Sequence, residues 1–431
     1  MAYPHTAPDL VRPTADQLAW QQLRLGVFVH FGINTFFDQE WSNGTLPASA
    51  FAPTELDARQ WVRTAVALGA RYLVLTAKHH DGFCLWPTET TGYSVAASPW
   101  RDGRGDLVRE VADACAEAGI GLGLYLSPWD RNSPVYPDPA AYDELYCRQL
   151  AELCTGYGPL VELWFDGAGS EGRRYDWTSI MNVVHTQQPH AMVFNMGDPT
   201  IRWAGNENGV VDEPVEYVVD HTQMSNYTVV TTQFERALYL PPECNVSLRP
   251  GWFWHPDEEP KTLDHLLAIH YRSIGRGANL LLNLAPDRRG LVPAGDSARV
   301  VELGAALADR FGAPVHASVR PAQAAPEHRW WTVEFPRPTR LDHVELREDL
   351  TDGQRVTGHL VLDADGATLA AGSTVGVRRV HAFAERTVTA LRVRLAGADG
   401  VLAGVAGYHA GTSVVPELPA AYLAPTDYPE D

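Results

Sequence analysis

Cysteine is scarce in this chain. Five cysteines occur among 431 residues, an odd count without closely spaced pairs. This pattern argues against a disulfide framework and favours free, buried thiols in a reducing compartment. The five residues are Cys84, Cys115, Cys147, Cys154 and Cys244.

Positive charge, long apolar runs and targeting signals are also lacking. Lys and Arg number 34 against 53 Asp and Glu, a net charge of −19. Such a surface repels phosphate groups, so we expect no nucleic acid or membrane partner. No apolar run approaches the roughly 20 residues of a membrane span. Residues 1–8 lack the features of a secretory signal, so we expect a cytoplasmic protein, with secretion open if a leader was removed.

Apolar residues and tryptophan are plentiful. Hydrophobic residues make up 45% of the chain, enough for a large core, and the length predicts two or three domains. All but two of the 13 tryptophans, Trp330 and Trp331, precede residue 312. Indole rings line many ligand pockets and stack on the flat faces of sugars, so this distribution suits a carbohydrate ligand.

Over residues 1–312, short apolar runs alternate with helical patterns, which is typical of βαβ units. We predict an α/β fold with a (β/α)8-like (TIM) barrel. Thr54 is the expected cap of the helix Leu56–Leu68. Region 210–250 is harder to interpret, and Thr228–Thr232 is its candidate strand. The clear strands are Leu25–His30, Tyr72–Thr76, Ile120–Leu126, the strand ending at Asp166, Ala191–Asn195 and Ala278–Asn283. The helices are Leu56–Leu68, 106–118, 140–155, 178–188 and Leu263–Ser273.

After residue 312 the pattern changes to short alternating strands separated by turn signals. We predict that residues 313–431 form a β-sandwich domain. Its tail, Leu418–Asp431, is rich in proline and acid and is expected to be extended or disordered. The predicted strands are Trp330–Phe335, Asp342–Arg347, Arg355–Leu362, Thr387–Leu395 and Gly404–His409.

Asp166 is the first candidate catalytic residue. A mostly apolar run, Val161–Phe165, ends in this carboxylate, and Gly167 follows it. Catalytic groups of a barrel lie at the C-terminal ends of its strands, which makes Asp166 a candidate nucleophile. The alternative is a turn aspartate, because Asp-Gly is a common turn pair.

Polar residues follow most of the other predicted strands, which predicts one shared site. The histidines raise the alternative of a metal centre. Adjacent His79 and His80 on an extended strand would point to opposite faces, which argues against one shared ion. Neutral imidazole offers one donor and one acceptor for sugar hydroxyls, so we expect no metal and no cofactor. The strand-end residues are His30, Lys78, His79, His80, Asp81, Tyr125, Ser127, Trp129, Asp130, Asn195 and Asn283.

Glycoside hydrolysis requires a second carboxyl group beside the nucleophile. Glu207 lies 207 − 166 = 41 residues beyond Asp166, about one βα unit further along the chain. This spacing places it at the same barrel face, although a loop glutamate is by default a solvated surface charge. Glu40, beside Trp41, is a third carboxylate that would either hold sugar hydroxyls or replace Glu207 as the acid.

Four motifs resemble the α-L-fucosidases of glycoside hydrolase family 29, and Leu280–Gly290 matches that family too. The resemblance covers roughly residues 15–310 and implies a retaining exo-glycosidase with a barrel followed by a β-sandwich. By this resemblance the nucleophile is Asp166. The fucose-binding residues implied are His30, His79, His80 and Tyr125. The four motifs are Leu25–Gly32, Lys78–Phe83, Leu124–Ser127 and Leu163–Gly167.

Two further segments, Gly205–Glu207 and Ser247–Phe253, resemble the subfamily that cleaves α1,3/α1,4-linked fucosyl branches. That resemblance implies Glu207 as the acid/base and the Glu40–Trp41 pair as a sugar contact. The C-terminal part resembles a galactose-binding-like sandwich. Further residues expected to contact substrate are Trp129, Trp203, Arg249 and Trp252.

The resemblance implies a fucosylated oligosaccharide or glycoconjugate as the partner and leaves the oligomeric state open. Two alternatives stand beside it. One is a broad-specificity α-L-fucosidase or a related glycosidase, since a fold alone does not set the substrate. The other is a catalytically inactive carbohydrate-binding protein, against which the presence of both Asp166 and Glu207 argues.

Overall fold

A computed structural model describes residues 11–223, 231–322, 329–397 and 399–420. Its first part is a parallel eight-stranded sheet in the order β5-β4-β3-β2-β1-β10-β9-β6. A parallel bridge between Phe194 and Ile201 brings the two edges together, so the barrel is nearly closed. The strands up to β10 are β1 Leu25–Val29, β2 Tyr72–Lys78, β3 Gly121–Leu126, β4 Leu160–Trp164, β5 Met192–Phe194, β6 Arg202–Trp203, β7 Val218–Gln223, β8 Thr231–Tyr239, β9 Pro242–Ser247 and β10 Asn279–Leu284.

Helices surround this barrel, and all of them except α7, Ala294–Phe311, begin at an Asp or Thr whose side chain caps the first turn. The predicted cap of the helix α2 is wrong: the side chain of Asp57, not Thr54, accepts a hydrogen bond from the backbone N–H of Gln60. Thr54 lies too far upstream, because the helix begins at Ala58 rather than Leu56. The helices are α1 Ala15–Gln21, α2 Ala58–Leu68, α3 Leu107–Ala118, α4 Pro139–Gly156, α5 Trp177–Gln187, α6 Leu263–Arg272 and α7 Ala294–Phe311.

The barrel is irregular in its sixth sector, where the sequence was hard to interpret. Part of the candidate strand, residues 228–230, lies outside the described residues. The strand β8 begins at Thr231 and pairs antiparallel with β7 in a separate hairpin, so it is not a barrel strand. The barrel strand of this region is β9, and all six of its residues are buried. Complete burial removes the alternation that identifies a strand facing solvent on one side.

The second part of the chain is an antiparallel, sheet-rich domain with its own hydrophobic core, which confirms the predicted β-sandwich class. Two predicted strands, Trp330–Phe335 and Asp342–Arg347, are halves of β12. The register with β15 shifts between Glu334 and Thr339, where Pro336 and Pro338 lack N–H donors. Residues 421–431 of the predicted tail lie outside the described part. The strands are β11 Val315–Pro321, β12 Arg329–Glu348, β13 Gly358–Asp363, β14 Thr368–Gly372, β15 Arg379–Ala396 and β16 Leu402–Tyr408.

The C-terminal domain holds the barrel segment that leads into β7. The side chain of Gln354 donates to the carbonyl of Val215 and accepts from the N–H of Tyr217, both at 2.9 Å. The Tyr217 hydroxyl accepts from the N–H of Val377 at 3.2 Å. These bonds satisfy backbone groups that would otherwise be buried without partners, so the second domain completes the irregular side of the barrel.

Two buried glutamates face each other inside the barrel. Glu162 on β4 and Glu243 on β9 are both 0% exposed. Burial raises the pKa of both groups, and the charge of Glu243 raises that of Glu162 further. Glu243 accepts hydrogen bonds from Tyr72 at 2.5 Å and from Trp164 at 3.1 Å. We therefore take Glu243 as the carboxylate and Glu162 as the protonated partner, because two close carboxylates do not both ionise freely.

This pair predicts a stability that falls as pH rises. The folded state keeps the Glu162 proton above about pH 4.3, where an unfolded chain releases it, so raising the pH favours unfolding by at most about 1.4 kcal/mol per pH unit. Glu162→Gln keeps a donor toward Glu243 and removes this titration. Urea denaturation at several pH values is expected to give the variant a shallower decline than the wild-type protein.

A matched control is Glu144→Gln, which changes an exposed glutamate on α4. This control is expected to follow the pH dependence of the wild-type protein. If the stability of Glu162→Gln and of the wild-type protein declines equally with pH, the assignment of a buried proton to Glu162 is contradicted.

Candidate active site

The C-terminal ends of the barrel strands surround one pocket. The apolar rings of Phe28, Trp164 and Phe194 come from β1, β4 and β5, and polar side chains that follow the strand ends line the same pocket. This is the face on which barrels carry their active sites. The lining residues are Phe28, His30, Glu40, Trp41, His79, His80, Tyr125, Trp164, Asp166, Gly167, Ala168, Phe194, Asn195, Trp203, Glu207, Asn245 and Trp252.

Asp166 lies two residues beyond the end of β4, with its side chain 27% exposed. One carboxylate oxygen, Oδ1, accepts the N–H of Ala168 at 2.9 Å. The other, Oδ2, accepts the hydroxyl of Tyr125 at 3.0 Å and lies 3.6 Å from Nε2 of His80. The carboxylate is therefore held in one orientation, and its exposed side faces the pocket.

Three histidines line the pocket beside Asp166. Burial lowers the pKa of His30 to about 3 and that of His80 to about 4, and it lowers the pKa of His79 well below its ordinary value. The rings are therefore neutral near pH 7 and each offers one donor and one acceptor. His79 also stacks on Tyr125, with ring centroids 5.8 Å apart.

The expectation that His79 and His80 point to opposite faces is wrong. Both rings line the pocket, and their centroids are 4.3 Å apart. The strand β2 ends at Lys78, so the two histidines lie beyond the regular pleat that alternates side chains. No group of three or more His, Cys, Asp or Glu that could hold a metal ion occurs among the residues that the structure describes.

Glu207 reaches the same pocket from the loop that follows β6. Gly205 in this loop has a φ of +90°, a conformation that other residues rarely adopt. The indole N–H of Trp252 donates to Glu207 Oε2 at 3.3 Å. Burial, followed by the charges of Asp166 and Glu40, raises the pKa of Glu207 to about 8. The side chain is therefore a protonated carboxylic acid at neutral pH.

Glu40 is buried and holds the loop that carries Trp252. Its carboxylate accepts the N–H of Trp252 at 3.0 Å and the N–H of Phe253 at 3.1 Å. His255 lies 2.7 Å from Glu40 and 2.6 Å from Asp38. Hydrogen bonds to these carboxylates raise the pKa of His255 to about 9, so a cation bridges them. Both oxygens of Glu40 are thus engaged, which favours Glu207 as the acid.

Two residues expected to contact substrate lie outside the pocket lining. The guanidinium of Arg249 binds both oxygens of buried Asp296, at 2.7 and 2.8 Å, so the expectation of a sugar contact is not supported. Trp129 packs against Trp41 and His80, with centroids 5.7 and 5.2 Å away, and supports the pocket wall from behind.

Several strand-end polar groups are engaged in the scaffold. Lys78 is fully buried, and its ammonium group lies 3.0 Å from the carboxylate of Asp130. The side chain of Asn195 lines the pocket, but its amide donates to a backbone carbonyl at 2.7 Å and accepts the N–H of Trp203 at 3.2 Å. Some strand-end residues thus face the cavity, and others bind neighbouring parts of the protein and support the cavity wall.

The sequence reasoning missed Asn245 and His255. Asn245 lines the pocket from β9 and accepts the indole N–H of Trp203 at 2.7 Å. Recognition of β9 as a barrel strand would have found Asn245. His255 had no local signal, because its partner Glu40 lies 215 residues away in the sequence.

A family model described as alpha-L-fucosidase matches residues 3–310. Alpha-L-fucosidase 1 of Arabidopsis thaliana is 38% identical over 422 residues, which cover 88% of this chain and 83% of the plant protein. A sequence relation of this extent includes both domains.

Solved structures give the same result. A glycoside hydrolase 29 family member from an unknown rumen bacterium has a TM-score of 0.83 at 32% identity, covering 98% of this chain and 80% of that one. A GH29 fucosidase of Ruminococcus gnavus, solved in complex with fucose, has a TM-score of 0.79 at 27% identity, covering 95% of this chain and 96% of that one. With a pocket lined by Asp166 and Glu207, these likenesses show that the chain is a glycoside hydrolase and belongs to the α-L-fucosidases of family GH29.

Proposed function

We propose that this enzyme is a retaining exo-α-L-fucosidase that removes terminal α1,3- or α1,4-linked fucose from branched oligosaccharides or glycoconjugates. The observation that carries the mechanism is the pair of carboxyl groups, Asp166 and Glu207, that line one pocket. The Asp166 carboxylate accepts two hydrogen bonds from the protein. The pKa of Glu207 is raised to about 8 by burial and by the charge of Asp166.

In the first step, Asp166 attacks the anomeric carbon of fucose while the bond to the leaving oxygen breaks. Glu207 gives its proton to that oxygen, so the rest of the glycan leaves as a neutral alcohol. The products are a fucosyl ester on Asp166 and a Glu207 carboxylate. The raised pKa of Glu207 suits this role because the acid must be protonated when substrate binds.

In the second step, Glu207 accepts a proton from water as the water oxygen attacks the anomeric carbon. The ester bond breaks, and Asp166 leaves as a carboxylate. Because the ester carries no charge on Asp166, the repulsion that raised the pKa of Glu207 is absent in the intermediate. The same group thus serves as acid and then as base, and two inversions retain the anomeric configuration.

Aromatic side chains near Glu207 support the choice of branched substrates. Trp252 lines the pocket beside the acid, and Trp254, partly exposed, lies next along the same loop. Trp203 is 7% exposed and mainly forms part of the pocket wall. A sugar next to fucose in a branched glycan would stack on an exposed ring, and this remote binding energy can be used at the reacting carbon. The alternative is an α-L-fucosidase without linkage preference.

Asp166→Ala tests the nucleophile. Removal of the attacking group is expected to lower kcat by several orders of magnitude while binding persists. Azide is expected to restore part of the turnover by entering the vacated space, and the product is then a fucosyl azide of inverted configuration. Kinetics with an aryl fucoside and NMR of the product measure both effects. Near-normal activity of Asp166→Ala would contradict the assignment.

The pH profile tests the acid. Because the protonated form of Glu207 is required, kcat/KM is expected to fall as pH rises through about 8. Residual kcat/KM of Asp166→Asn is expected to fall at a lower pH, since the charge that raises the pKa of Glu207 is gone. Glu207→Gln is expected to lose this alkaline limb. An unchanged limb in Glu207→Gln would assign the titration to another group.

Trp254→Ala tests the stacking surface without touching the residue that binds Glu207. The variant is expected to lose more kcat/KM on an α1,3- or α1,4-fucosylated trisaccharide than on an aryl fucoside, because only the trisaccharide has a neighbouring sugar to stack. Trp330→Ala in the second domain is a matched tryptophan control. Efficient, unselective cleavage of α1,2 linkages by the wild-type enzyme would favour the broad-specificity alternative.

A further inference from the structure

Two pocket histidines each have one ring nitrogen bound to a residue outside the pocket lining. Nδ1 of His80 lies 2.7 Å from Oγ of Ser127, and Nδ1 of His30 lies 2.8 Å from Oδ1 of Asn283. Ser127 and Asn283 are both 0% exposed. The direction of these two bonds decides which nitrogen of each neutral ring carries its proton.

The single hydroxyl proton of Ser127 is committed away from His80. Ser127 Oγ donates to the backbone carbonyl of Trp129 at 2.7 Å, and a carbonyl oxygen can only accept. Tyr125, which also lies within hydrogen-bond reach of Ser127, has its own proton on Asp166 and is a second acceptor. Toward His80, Ser127 Oγ can therefore only accept, and Nδ1 of His80 must be the donor.

The amide of Asn283 leads to the same result for His30. Its Nδ2 donates to the carbonyl of Trp252 at 2.8 Å and to Oγ of Ser247 at 3.1 Å. Its Oδ1 accepts the backbone N–H of His30 at 3.2 Å. These bonds fix the orientation of the amide, so the atom facing the ring is an acceptor and Nδ1 of His30 is protonated.

We propose that Ser127 and Asn283 are positioning residues that hold His80 and His30 in the Nδ1–H tautomer, so that each ring presents an unprotonated Nε2 to the sugar. Nε2 of His80 lies 3.6 Å from Oδ2 of Asp166, which already accepts the Tyr125 hydroxyl, so a ligand at this corner meets two acceptors. A ligand hydroxyl there must donate a hydrogen bond. The enzyme therefore rejects sugars in which that hydroxyl is replaced by a group that only accepts.

Nitrogen NMR of the enzyme labelled with 15N-histidine tests the tautomers directly. Long-range proton–nitrogen spectra at neutral pH distinguish a protonated ring nitrogen from a bare one. Signals are assigned by their loss in His80→Gln and His30→Gln. The expected spectrum shows both rings with Nδ1 protonated and Nε2 bare. An Nε2–H form at either ring would overturn the proposal for that ring.

Ser127→Ala tests whether the hydroxyl sets the tautomer. His80 is expected to shift toward a mixture of both forms, and kcat/KM is expected to fall about tenfold, the effect of one lost hydrogen bond. Ser273→Ala is the matched control: Ser273 is also 0% exposed, and its hydroxyl donates to the carbonyl of Ile269 at 2.8 Å. An unchanged His80 spectrum in Ser127→Ala would overturn the proposal. If Ser127→Ala does not fold, the wild-type spectrum still decides it.

Competitive inhibition by fucose analogues tests the consequence for recognition. In each analogue one hydroxyl is replaced by hydrogen or by fluorine, which cannot donate. When the hydroxyl facing His80 is replaced, the fluoro analogue is expected to bind no better than the deoxy analogue. In Ser127→Ala, the loss of affinity of that fluoro analogue relative to fucose is expected to be smaller. Fluoro analogues that all inhibit like fucose would overturn the proposal. If the NMR spectrum shows the expected tautomers but fucose does not bind, the tautomer assignment is supported and the proposed fucose site is contradicted.

Discussion

The burial of Glu207 beside the carboxylate of Asp166 in one pocket is the constraint on which the site depends. Burial makes ionisation of Glu207 costly, and the nearby carboxylate of Asp166 increases that cost. The result is one carboxylate and one carboxylic acid from two chemically similar side chains. The barrel makes this possible because strand ends and loops far apart in sequence converge at one edge.

Most of the surrounding structure serves to fix these two groups. Tyr125 and the N–H of Ala168 orient Asp166. Trp252 contacts Glu207, and buried Glu40 anchors the backbone of Trp252. The C-terminal domain satisfies backbone groups of residues 215–217, in the chain that continues from the Glu207 loop. The proposed chemistry thus depends on contacts spread over both domains.

The residues that could be predicted from sequence are those whose position follows from strand ends. An apolar run that ends in Asp166, and a short strand followed by two histidines, locate side chains at the mouth of a parallel barrel without knowledge of tertiary contacts. The strand β9 could not be predicted because all its residues are buried and several are polar, so no period of two is visible. The predicted helix cap, Thr54, lies only a few residues from the observed cap, Asp57, and this local error has no effect on the site.

Residues whose role depends on a distant partner could not be predicted in this way. Arg249 lies in a motif that suggested a sugar contact, but it binds Asp296, 47 residues away. The Glu40 carboxylate looked free to act on substrate, but it is engaged by a loop more than 200 residues away. In both cases a charged group that appears available in the sequence is paired by tertiary packing.

Trapping of the covalent intermediate tests the account most directly. A fucosyl fluoride with a second fluorine at C2 forms an ester quickly and hydrolyses slowly, because the fluorine destabilises the oxocarbenium-like transition state and a good leaving group favours the first step. Mass spectrometry of the intact protein and of its peptides then locates the sugar. We expect one fluorofucosyl group on Asp166. A label on another residue, or turnover that releases fucose of inverted configuration without any label, would contradict it.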